Sequence, residues 1–97
     1  MQINQIEDYL LKIITQYIDD NEIKTDEEIN KESRLIGAKS FLDSIGLVTF
    51  IVEVEQAFLE DHSIEIELAS EKAMSRTTSP FISIKTLSKF ILEEFFE

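Results

Sequence analysis

Over the first twenty positions, apolar residues recur at steps of three and four: Ile3, Ile6, Leu10, Ile13 and Tyr17. That spacing lines one face of an α-helix and predicts an amphipathic helix of about five turns. Asp19-Asp20-Asn21 interrupts it, and positions 21–40 are polar apart from isolated Ile23, Ile29, Leu35 and Ile36. A long loop pinned by those anchors is expected. A second stripe, Leu47, Ile51, Val54 and Phe58, predicts a second helix. This helix is apolar beyond one face, because Ile45, Val48, Phe50 and Val52 lie off the stripe. Core packing is the first expectation for Val48 and Val52, and an exposed contact for Ile45 and Phe50.

Ile64-Glu65-Ile66-Glu67-Leu68 alternates like a strand, yet nothing nearby offers it a partner. It reads as an extended linker with its apolar side chains tucked in. Residues 69–74 are expected to make a short helix, followed by a Ser/Thr-rich breaker over 75–80. Ser83 is a candidate N-cap for a closing helix in which Ile84, Leu87, Ile91 and Phe95 again step by three and four. The expected fold is an all-α four-helix bundle: three longer helices, one short helix and a long first loop. It forms a single domain over 1–97.

Composition narrows the function classes. A chain of 97 residues supports one core, and a hydrophobic fraction of 43% is enough to build it. Two glycines and one proline leave little of the turn chemistry an all-β sandwich needs. Nine Lys and Arg against twenty Asp and Glu give a net charge of -11, which repels nucleic acid and anionic lipid and favours partners with basic patches. With no cysteine, neither a disulfide nor a thiolate metal site can form. The N-terminal stretch lacks a basic flank and a continuous apolar segment, and no run approaches the roughly 20 apolar residues that span a bilayer. An unprocessed, monomeric cytoplasmic protein is expected.

Candidate chemistry centres on the run Phe41-Leu42-Asp43-Ser44-Ile45-Gly46-Leu47-Val48, where a serine with an acidic neighbour stands at the start of the second helix. Read plainly, Asp43 is an N-cap and Ser44 a first-turn residue, or Ser40 caps with Asp43 reciprocating. Capping and a chemical role for Ser44 do not compete. The single histidine, His62, lies at the other end of the same helix, about 27 Å away at the usual rise per residue, which excludes a Ser-His pair. A calcium loop beginning at Asp19 also fails, since its glycine position holds Lys24 and its final acidic position Asn30.

The anchor before the second helix, the Asp43-Ser44-Ile45 signature and the amphipathic helix ending in Glu55-Gln56-Ala57-Phe58 together resemble the acyl and peptidyl carrier proteins. The likeness extends more loosely to the end of the chain. It implies that Ser44 is the attachment site of 4'-phosphopantetheine, transferred from coenzyme A by a phosphopantetheinyl transferase, and that Asp43 is engaged by that transferase and its magnesium ion. Further implied partners are acyl- or aminoacyl-loading ligases, synthases and transferases, meeting a face that includes Ile45, Val52, Glu53 and Glu55. The chain itself would catalyse nothing. Fatty-acid-synthase carriers usually carry acidic residues in the first turns of this helix, where this chain has Gly46 and Thr49. Its Ser-Ile-Gly-Leu-Val run is more similar to stand-alone carriers of specialised pathways. An acidic helical adaptor without a prosthetic group is the alternative.

Overall fold

A computed structural model describes residues 1–23, 28–35, 42, 44–68 and 80–96. Among them the fold is all-helical, with no strand. Helix α1 spans Ile3–Asp20, α2 spans Ser44–His62 and α3 spans Ile84–Ile91, the last running into a π-helical turn over Leu92–Phe96. The short helix expected at 69–74 lies outside the described residues, as do Ile36, Phe41 and most of the 75–80 breaker.

Helix α1 packs against both α2 and α3, and its apolar stripe supplies the centre of the core. Ile6, Leu10 and Ile14 are fully buried and Tyr17 nearly so. Ile13, expected on this stripe, is only half-buried, because the buried line steps 6, 10, 14, 17 and leaves Ile13 beside it. Glu7 is buried next to that line. It lines a cleft together with Lys85 and Lys89 of α3.

From α2 come Phe50, Ile51, Val54 and Phe58, all buried, with Leu47 half-buried. From α3 come Ile84, Leu87, Phe90 and Ile91, all buried. Each such side chain contributes roughly 1.5 to 3 kcal/mol. Phe95 does not complete the α3 stripe as its spacing suggests. It is half-buried, because the wider π turn rotates it off the α-helical face, although its ring still meets Phe90 edge-on at 6.3 Å.

Two helix ends close on left-handed residues that are not glycine. Glu22 has φ 53° and lets the Ile23 N–H reach the Ile18 carbonyl at 3.0 Å. Ser63 has φ 55° and lets the Ile64 N–H reach the Phe58 carbonyl at 3.2 Å. Both turns deliver an apolar residue back to the core. Helix α3 opens on the expected Ser83: its Oγ accepts from the Thr86 N–H at 3.2 Å, while the Thr86 hydroxyl accepts from the Ser83 N–H at 2.9 Å.

The long connections are anchored. Leu35 is buried, and Ile23 and Ile29 pack on the core from outside. An isolated antiparallel bridge joins Arg34 to Ser83, flanked by Leu35 N–H to Ile82 O at 2.8 Å and Lys85 N–H to Lys31 O at 2.7 Å. The first loop is thereby sewn to the start of the last helix. Ile66 and Leu68 are buried while Glu65 and Glu67 are exposed, as expected for a linker that forms no sheet.

Candidate functional site

Ser44 is the first residue of α2, the position its sequence context predicts. Leu42, buried two residues earlier, anchors the approach. Asp43, Ser40 and the Ser44 side chain lie outside the described residues, so the expected capping arrangement has no described geometry. A helix start presents backbone N–H groups and the positive end of the helix dipole to whatever is attached there. Beside it, Ile45 is 79% exposed. Gly46 is buried, and the Thr49 hydroxyl folds back to donate to the Ile45 carbonyl at 2.9 Å.

The outer face of α2 departs from expectation. Phe50 is fully buried, while Val48 is 61% and Val52 43% exposed. The assignment of Val48 and Val52 to the core and of Phe50 to a contact patch is therefore reversed, while Ile45 and Val52, both named for the partner face, are exposed. The line through Phe50, Val54 and Phe58 faces the core, where Tyr9 of α1 meets Phe58, and the opposite face of α2 has no helix over it among the described residues. Leu59, which the sequence did not single out, is 53% exposed on that same face.

The expected partner-facing carboxylates divide. Glu53 is exposed. Glu55 is half-buried, and its Oε2 accepts the Leu68 N–H at 2.9 Å, tying α2 to the linker. Its first role is structural.

At the far end of α2, His62 is the exposed terminal residue. Its ring packs edge-on against Tyr9 at 5.2 Å and tilts over Phe58 at 5.8 Å. The Tyr9 hydroxyl donates to Asp61 Oδ2 at 2.5 Å. Burial, that hydrogen bond and the neighbouring carboxylates of Asp61 and Glu60 push the Tyr9 phenol well above its ordinary value. This cluster locks α1 to α2 at the end opposite Ser44. Ser44 and His62 stand at the two ends of one helix, so they form no nucleophile–base pair.

No group of three or more His, Asp or Glu side chains among the described residues is arranged to hold a metal, and no helix is long and apolar enough to cross a membrane. Against protein-family models, curated proteins and solved structures, the chain has no match.

Proposed function

We propose that this chain is a carrier protein whose Ser44 receives 4'-phosphopantetheine from coenzyme A through a phosphopantetheinyl transferase. One observation carries the reading: the Asp-Ser-Ile signature coincides with the first residue of α2, beside a widely exposed Ile45. The position suits the group chemically, since a phosphodiester at a helix start meets the positive end of the dipole. When bound, the arm supplies the thiol that a cysteine-free chain lacks, and with it a thioester link for acyl or aminoacyl cargo. Asp43 is the acidic neighbour that the transferase and its magnesium ion engage.

On this reading the chain catalyses nothing itself. It acts as a cytoplasmic monomer and a small four-helix bundle, three longer helices plus a short one over 69–74, and it presents cargo to loading ligases, synthases and transferases with basic patches. The polar, uncharged Thr49 and the absence of acidic residues in the first turn of α2 favour a specialised biosynthetic pathway over housekeeping fatty acid synthesis. Expression beside a promiscuous transferase, with intact-mass measurement, tests the proposal. One phosphopantetheine per chain is expected, and none on Ser44→Ala. A wild-type chain that stays unmodified would support the second reading, an acidic adaptor that binds through the exposed face of α2 and carries no prosthetic group.

A further inference from the structure

Helices α1 and α3 flank a cleft of about 340 Å³ to which α2 contributes no residue. On the α1 side stand Ile3 and Glu7, four residues apart and so on one helix face. On the α3 side stand Lys85 and Lys89, again four apart, and Leu92 and Glu93 of the π turn complete the lining. The volume falls at the small end of the roughly 300 to 1,000 Å³ typical of small-molecule sites.

Glu7 is only 7% exposed, and among the described residues its carboxylate has neither a hydrogen-bond partner nor an ion pair. A charge buried without a partner is costly. The carboxylate is not sealed in, because Ser88 Oγ is the only fully enclosed side-chain polar atom left unpartnered among the described residues. What remains accessible of Glu7 opens on the cleft it lines. Lys85 and Lys89 are exposed and likewise form no ion pair among the described residues. One carboxylate and two ammonium groups thus share a cleft without closing on each other, and half-buried Ile3 and Leu92 add apolar wall.

This lining rejects the simpler ligands. An anion drawn to the lysines would stand over a buried carboxylate, and a cation drawn to Glu7 would pass two ammonium groups. A neutral apolar molecule would cover Glu7 and leave it with neither water nor a partner. A molecule that carries both charges a few bonds apart satisfies every part of the lining. Its ammonium donates to the Glu7 carboxylate, its carboxylate accepts from Lys85 or Lys89, and its apolar part lies on Ile3 and Leu92.

We propose that the cleft between α1 and α3 binds a free α-amino acid with an aliphatic side chain, Glu7 receiving its ammonium, Lys85 and Lys89 its carboxylate, and Ile3 and Leu92 its side chain. The site goes beyond the carrier reading and stands without it, since neither Ser44 nor any other residue of α2 takes part in the lining. Solvent and salt screen the exposed lysines, so the buried carboxylate sets the selectivity.

L-Leucine, titrated into the isotopically labelled full chain, should give saturable amide shifts centred on Ile3, Glu7, Lys85 and Lys89. Two analogues divide the recognition: leucinamide keeps the ammonium without the carboxylate, and isocaproate keeps the carboxylate and the tail without the ammonium. Each should bind about tenfold or more weakly than leucine. Glu7→Gln keeps the shape of the side chain, removes its charge and should weaken leucine binding by a similar factor. If that variant unfolds, the double change Lys85→Ala with Lys89→Ala carries the test. Both lysines are exposed, so melting should stay unchanged while leucine affinity falls. The proposal is overturned by an absence of saturable shifts, by shifts mapping away from the cleft, or by either analogue binding as tightly as leucine. Leucine binding undisturbed in folded Glu7→Gln, or in the double lysine variant, would overturn it equally.

Discussion

Ser88 is the one buried side-chain polar atom among the described residues that lacks a hydrogen-bond partner, and its residue is fully buried in α3. An unpaired buried hydroxyl costs roughly 1 to 3 kcal/mol. Ser88→Ala removes that cost and adds a better helix former, at the loss of one small atom's packing. The substitution should raise stability by about 1 kcal/mol in denaturant titration. A loss of stability would mean that Ser88 has a partner in solution, such as a bound water. Tyr9 makes the opposite case, a polar group paired at a helix junction. Its folded-state pKa lies above the ordinary value, so its contribution is fully present below about pH 10 and is lost as pH rises further. Stability should therefore decline above about pH 10 more steeply in the wild type than in Tyr9→Phe, with melting followed across alkaline buffers. Parallel declines would remove Tyr9 from the account.

At the scale of elements, the three helices were legible because each buries a face repeated at helical spacing, and Ser83 was legible because its hydroxyl and Thr86 form a local cap. Which side of α2 faces inward was not. A helix with apolar residues nearly all round presents two overlapping stripes, and only its packing in the folded chain selects Phe50 over Val48 and Val52. The π turn that displaces Phe95 has no signature at this length of pattern. The clasp between Arg34 and Ser83 passes through backbone groups, and the bond from Leu68 to the Glu55 carboxylate has a backbone N–H as donor, a group that nearly every residue carries, so neither pairing could be read from side-chain type. Glu55 and Glu53 now separate by experiment. Glu55→Lys should lower stability by roughly 1 to 3 kcal/mol, because the Leu68 N–H loses a charged acceptor. Glu53→Lys should leave melting nearly unchanged while weakening and flattening the salt dependence of partner binding. Equal melting of the two variants would contradict the structural role of Glu55.

For the whole molecule, charge and connection act together. The chain carries -11 on one small core, and its surface carboxylates repel one another through a screening length of about 10 Å at 0.1 M salt. Added sodium chloride should therefore raise the melting temperature between low and physiological ionic strength. A flat or falling temperature would show that the carboxylates are already compensated within the fold. The core built on α1 and the start of α2 at Ser44 are separate features of the same sequence: Phe50, Val54 and Phe58 are buried along α2, and Ser44 and Ile45 are its first two residues.

The central claim is that this fold exists to hold Ser44 at the head of α2 for modification, and site localisation tests it most directly. The chain is incubated with coenzyme A, magnesium and a promiscuous transferase, digested, and its peptides are fragmented in the mass spectrometer to find the modified residue. The account predicts phosphopantetheine on Ser44 and on no other serine. Modification of Ser33 or Ser40, or a chain that stays unmodified while a known carrier in the same tube is loaded, would contradict it.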